Sequence, residues 1–349
     1  MANPQNPLRP AEPAMPLGRP RSVAALLGKL LHSGARQKLL AFASLIALIV
    51  FFGIASPQFL QTDNLVSILQ ATAVNGVLAI ASTFIIITGG IDLSVGTLMT
   101  FCAVMTGVVL TNWGMPLYVG VLAALFFGAL CGSTSGFLVA KLKIPPFIAT
   151  LGMMMLLKGL SLVISGTKPI YFNDTPGFTS ISQDSLIGVL IPPLPIPNSV
   201  LILFVLAIAA AIVLNKTLFG RYTFALGSNE EAVRLSGVNV DAWKIAVYTV
   251  GGSICGIGGL LIASRLNSAQ PALGQGYELD AIAAVVIGGT SLSGGTGTIT
   301  GTMIGAFIMS VLVNGLRVMS VAQEWQIVVT GVIIIAAVYM DMLRRRKQR

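Results

Sequence analysis

Residues 65–88, LVSILQATAVNGVLAIASTFIIIT, carry no charged side chain. A helix rises about 1.5 Å per residue, so a run of this length crosses the roughly 30 Å hydrocarbon layer of a bilayer. The same kind of run recurs on both sides of it. Candidate spans fall at 39–56, 65–88, 93–111, 116–140, 147–164, 199–214, 245–264, 279–293, 298–316 and 325–340. Composition agrees. Of 349 residues, 55% are hydrophobic and only 9% are charged, against about 25% charged in an average soluble domain. So few charges cannot cover a water-soluble protein of this size, which excludes a soluble enzyme, a DNA-binding domain and a disordered chain. A transmembrane β-barrel would alternate polar and apolar positions, whereas these runs are continuous. The expected fold is an all-α polytopic membrane protein with about ten transmembrane helices. The stretch 279–293 is the exception among the ten. It is short and holds Asp280 and a Gly pair, so it reads as a broken or re-entrant helix.

Lys and Arg set the expected orientation. With the N-terminus inside and ten alternating spans, seventeen of the 21 Lys and Arg fall on the inner side. The outer side receives Lys168, Arg265 and Arg317, and Lys158 lies within a span. This is a positive-inside distribution with both termini in the cytoplasm. The net charge of +9 is accounted for by that bias and needs no nucleic-acid partner. Residues 1–38 form a basic tail, Pro-rich up to Pro20 and without the early apolar run of a signal peptide. Within it, 22–38 reads either as a basic helix lying on the anionic inner leaflet or as a disordered tail. Residues 39–340 form the membrane domain and 341–349 a second basic tail. Two polar segments interrupt the membrane domain, an outer loop at 165–198 and an inner segment at 215–244.

Much chemistry is absent from the sequence. The single His is His32, in the tail, so a Ser–His–Asp triad, a His-ligated zinc and a His-ligated haem all lack a ligand in the membrane. No G-x-x-x-x-G-K-[ST] occurs to cradle a nucleotide phosphate. Cys102, Cys131 and Cys255 each sit inside an apolar run and read as small buried hydrophobes. No catalytic, cofactor-binding or metal-binding residue is expected.

The inner segment is the most informative part. In 228-SNEEAVRLSG-237, Ser228 or Asn229 can accept hydrogen bonds from first-turn amides, and Glu230 and Glu231 suit the positive end of a helix. Ala232, Val233 and Leu235 offer a small apolar face, and Gly237 stops the helix. A helix this short is marginal alone. It either docks into a groove on a partner or packs on its own bundle.

The segment 228-SNEEAVRLSGVNV-240 resembles the cytoplasmic coupling motif of permease subunits of bacterial ABC sugar importers, in the ribose/galactose/xylose branch. Two further stretches resemble the same family in the same order, 89-GGIDLSVG-96 and 276-GYELDAIAAVVIGGTSLSGGTGTITGTMIGA-306. The resemblance covers about residues 40–340 and is nearest to ribose-type permeases. It implies a pathway formed by two permease subunits in the bacterial inner membrane, most simply a homodimer in lipid. It implies a separate ATPase that binds ATP and Mg, and a periplasmic binding protein that delivers the sugar. By position, Asn229, Glu230, Glu231, Ala232, Arg234, Leu235, Ser236 and Gly237 would seat in the ATPase.

Other polar residues are candidates for the pathway or its gate. Asp92 and Ser94 either cap the third span or line a gate near the inner face. Glu278 and Asp280 open a span, where they cap it or stand at an outer mouth. Gln70 and Asn75 either line a polar path or bond between helices. Lys158 lies about two turns from the outer end and reads as snorkelling outward. The echo between 89-GGIDLSVG-96 and 288-GGTSLSGG-295 points to a half-chain repeat. The alternative class is an ion-coupled secondary transporter of a small polar solute, against which the near absence of mid-span charge argues.

Overall fold

The apolar runs become helices, and the fold is helices throughout. The computed structural model describes residues 34–190 and 195–346. Among these, nine helices are long and apolar enough to cross a membrane. They are α1 (Gly34–Ala55), α2 (Thr62–Ile87), α3 (Val95–Gly107, continued by a π turn through Asn112), α4 (Leu117–Ala140) and α5 (Pro146–Ile164). After the polar segments come α7 (Asn198–Lys216), α10 (Val240–Leu266), α12 (Ile299–Val318) and α13 (Gln323–Arg346). Shorter helices are α6 (Leu186–Leu190), α8 (Leu218–Ser228), α9 (Glu230–Leu235) and α11 (Tyr277–Ile287). The described residues from Lys38 onward form one compact unit. The basic helix expected at 22–38 falls mostly outside the described residues.

Burial separates two classes of span. The α3 span is 89% buried and that of α13 only 6%. Helices α2, α3, α10 and α12 form the centre, and α1, α4, α5, α7 and α13 present broad apolar faces outward. Small residues set the centre. A Cβ on Gly252 of α10 would collide with the Gly128 carbonyl of α4, and one on Gly132 with the Tyr248 carbonyl. Backbone-to-backbone approach of this kind replaces the hydrophobic drive that lipid does not supply. The glycines of 251-GGSICGIGG-259 are therefore packing residues. Cys102, Cys131 and Cys255 are free and buried, as their apolar surroundings predict.

The stretch 279–293 is not a full span. Helix α11 has 11 residues, about 16 Å at 1.5 Å per residue. It stops because Gly289 takes a φ of 93°. The amides of Gly289 and Thr290 then return to the Val286 and Val285 carbonyls, the Schellman closure. The chain reaches α11 from the far end of the bundle in a non-helical segment. There β2 (Ser268–Ala269) pairs antiparallel with β1 (Ile170–Tyr171), Ile170 opposite Ala269. Beyond β2 the chain turns inward, so that Gly274 presses on Gly96 and Thr100 of α3. The tenth crossing is thus a descending loop joined to a half-length helix.

The loop 165–198 is tied down where described. Phe172 and Phe178 stack at 3.8 Å and are buried. The Ser264 hydroxyl at the end of α10 donates to the Phe178 carbonyl (2.7 Å) and accepts from the Ser182 amide (2.9 Å).

Candidate functional site

The polar segment 215–244 folds as two helices ahead of α10. Thr217 caps α8, and Asn229 ends α8 and caps α9, its side chain accepting from the Ala232 amide at 2.9 Å. The cap is Asn229 and not Ser228, whose hydroxyl bonds back to the Phe224 carbonyl. Gly237 ends the helix with a φ of 84°. The apolar residues of α9 divide. Val233 turns inward onto Leu226 and Val240, while Leu235 is 83% exposed beside exposed Glu231 and Ala232. One face therefore anchors the helix and another is left free.

Charges fasten the anchored side. Glu230 pairs with Arg234 one turn on (3.1 Å) and with Lys244 at the foot of α10 (2.6 Å). Arg234 reaches Asp241 (3.7 Å), which also holds Lys143 (2.8 Å) and Lys141 (3.5 Å) from the α4–α5 turn. Partial burial works against the Glu230 charge, but the bonds from Lys244 and Arg234 outweigh it and hold its pKa below the usual value. Through this network α9 is tied to α10 and to the α4–α5 turn.

A second junction lies at the base of α8. The Gly295 amide donates to the Ile87 carbonyl at the end of α2 (2.8 Å). A Cβ on Gly227 would collide with that same carbonyl. The turn after α2, the loop after α11 and the end of α8 therefore meet at one point beside α9. The turns after α2 and α11 close alike. The amides of Gly89 and Gly90 return to the Ile86 and Ile85 carbonyls, matching Gly289 and Thr290. The structural match pairs Gly89 with Gly289, one residue off the sequence echo, which pairs Gly89 with Gly288. Both turns sit at the same end of the bundle.

Asp92 and Ser94 do not cap α3 as expected. The Asp92 carboxylate accepts from the Ser94 amide (2.7 Å) and hydroxyl (2.6 Å), so the Ser94 side chain makes no bond to the α3 amides. Asp92 is 5% exposed and holds the turn. The Thr150 hydroxyl of α5 accepts from the Leu93 amide (3.1 Å) and fastens the turn to α5.

Glu278 does not lie at the end of the bundle that carries β1 and β2, and Asp280, half-buried, follows it two residues further along α11. Glu278 is buried, accepts from the Gly276 amide (3.1 Å), and lies against Gly96 in the first turn of α3. Gly107, three turns further along α3, is the residue that meets β1, so Glu278 lies well below that end. Lys158 does not reach outward either. Its ammonium donates to the Gln275 Oε1 of the descending loop at 2.8 Å. Gln70 and Asn75 are half-buried on α2, and the Asn75 Oδ1 has no hydrogen-bond partner among the described residues. No cluster of His, Cys, Asp or Glu able to hold a metal occurs among the described residues.

Comparison with known proteins gives this geometry a context. The family described as branched-chain amino acid transport system / permease component matches residues 64–338. The chain belongs to this permease family. Among its relatives, the ribose import permease protein RbsC of Escherichia coli K12 is 45% identical over 306 residues, 85% of this chain and 92% of the relative. RbsC of Bacillus subtilis is 40% identical over 88% of this chain and 94% of its own. The fructose import permease protein FrcC of Rhizobium meliloti is 38% identical over 86% of this chain and 84% of its own. No solved structure matches the chain.

The candidate residues fall in three places. The α9 residues cluster at one end. Lys158 meets the loop that leads to Glu278. Asp92 and Ser94 belong to the turn between these regions. Sequence reading missed Gly227, Gly295 and Gln275. The first two were visible only as glycines near the coupling segment and in the echo. Gln275 lies between spans and carried no signal.

Proposed function

We propose that this chain is the pathway-forming permease subunit of an ATP-driven importer in the bacterial inner membrane, and that it passes a monosaccharide, ribose, delivered by a periplasmic binding protein. The observation that carries this is the 40–45% identity to ribose import permeases over 85–88% of the chain. The α9 geometry supports the same reading. A capped helix is anchored by Val233 and its charges, and it presents Glu231, Ala232 and Leu235 outward as a docking surface for a partner ATPase. ATP and Mg bind on that partner and not on this chain. Closure of the partner displaces α9, and the Glu230–Arg234–Asp241 network and the Gly227 junction carry the displacement into α2, α10 and α11.

The α9 end is the cytoplasmic end. It carries Lys141, Lys143, Lys216, Arg221, Arg234 and Lys244, whereas the opposite end carries Lys168, Arg265 and Arg317. Two copies form the pathway. An ion-coupled transporter would draw on Lys158 and Glu278, but it gives α9 no task.

The test is uptake of labelled ribose into vesicles that hold this chain, its partner ATPase and the binding protein, omitting each in turn. Uptake that needs all three and ATP supports the proposal. Uptake by this chain alone rejects it.

A further inference from the structure

The loop between β2 and α11 poses a problem for a single copy in lipid. Residues 270–276 are non-helical. They lie against the first turns of α3, and Lys158 meets them six residues from the end of α5, about 9 Å inside that helix. Yet Ala272 and Gln275 are exposed. Irregular backbone at hydrocarbon depth is tolerated only where protein covers it or it lines a water-filled cavity. The residues around it are polar as well. Thr97, Thr100, Lys158, Gly274 and Gln275 line one crevice, and the buried Thr100 hydroxyl has no partner among the described residues. A Cβ on Gly274 would collide with that hydroxyl and with the Gly96 carbonyl, so the loop is seated there by its glycine.

We propose that the surface formed by Lys158 and residues 270–276 is a wall of the solute pathway, closed by a second copy of this chain, and that Lys158 and Gln275 hydrogen-bond the hydroxyls of the passing sugar. The inference rests on the importer reading above and locates its route. A sugar leaving water must exchange every hydroxyl contact. An ammonium has three donors, and one is spent on the Gln275 carbonyl oxygen. Two donors remain, together with the Gln275 amide nitrogen. A few exchangeable bonds on one wall suit passage better than tight capture. The second copy is the occupant because the mirrored patch gives the sugar the same groups on both sides, and because it covers backbone that lipid cannot.

The test uses the full chain in native membranes, with Gln275→Cys and Leu156→Cys introduced singly. Leu156 lies on the same helix as Lys158 and is 52% exposed, and the three native cysteines are buried. A membrane-impermeant cationic thiol reagent is applied from either face. The expected result is labelling of Gln275→Cys at least ten times faster than Leu156→Cys. Equal rates would place this surface against lipid and overturn the proposal. In parallel, Lys158→Met is expected to lower ribose uptake at least fivefold while the partner ATPase still co-purifies. If Lys158→Met fails to accumulate, Gln275→Ala replaces it, with at least a twofold loss expected. Full uptake in the variant that accumulates overturns the hydroxyl contacts. Failure of the wild-type chain to take up ribose with ATP rejects the importer reading instead, and the labelling contrast still reports on the water-filled wall.

Discussion

Gly227→Ala tests the junction at the base of the coupling helices. The added methyl would collide with the Ile87 carbonyl and crowd the Gly295 amide that bonds to it. Overpacking of this kind costs about 1–3 kcal/mol. Losing the Gly295–Ile87 bond adds about 1 kcal/mol. Against this, Ala is favoured over Gly in the last turn of α8 by roughly 1 kcal/mol. The net cost to the closed junction is about 1–3 kcal/mol, a factor of about 5 to 150. The collision is local to the end of α8, so the spans still insert and α9 still presents Leu235. Membrane level and ATPase co-purification should therefore hold, while ATP-driven ribose uptake falls at least fivefold. Gly152→Ala is the control, since nothing lies within 4 Å of its added methyl on α5, and it should transport normally. Wild-type uptake by Gly227→Ala would refute the junction as a transmitting contact. Equal loss of membrane level and uptake would make it a folding contact.

Other outcomes follow from the same geometry. Leu235→Asp places a charge on the exposed leucine of α9 and should cut ATPase co-purification at least tenfold without changing membrane level. Asn229→Ala removes the α9 cap at a cost of about 1 kcal/mol and should lower uptake several-fold, with Asn229→Asp restoring most of it. Because the Glu230 pKa is lowered, its ion pairs are fully present above the ordinary carboxylate value of 4.5 and are lost as pH falls through the depressed value. Protection of the α9 amides from hydrogen exchange should accordingly be flat from pH 8 to pH 5 (roughly, by the same linkage) and drop only in stronger acid. Gly252→Leu should abolish accumulation of folded protein, since α4 and α10 meet backbone to backbone there, and a quantitative blot of membranes reads that out.

Much of the membrane fold is legible in the sequence because its signal is local. A run such as 65–88 announces a helix whatever its neighbours do, and α2 occupies Thr62–Ile87. The α9 cap and stop were legible for the same reason, since Asn229 and Gly237 act on residues within a turn. What was not legible depends on distant parts of the chain. The inward rotation of Val233 is set by Leu226 and Val240. The depth of Glu278 depends on how far residues 270–276 descend along α3, and Gly274 decides that only because Gly96 faces it. The echo of the two glycine turns pointed to a real structural likeness, but the hydrogen bonds align them one residue differently, because cap geometry follows φ and not residue identity.

The central claim is that ATP on a partner subunit, through α9, drives a sugar across this chain. The most direct measurement is labelled ribose uptake in vesicles containing the complete complex, with ATP supplied and ion gradients collapsed by ionophores, compared with gradients imposed and ATP withheld. Uptake with ATP alone, abolished by Leu235→Asp, is the result this account predicts. Uptake sustained by a proton or sodium gradient without ATP, and indifferent to Leu235, would contradict it.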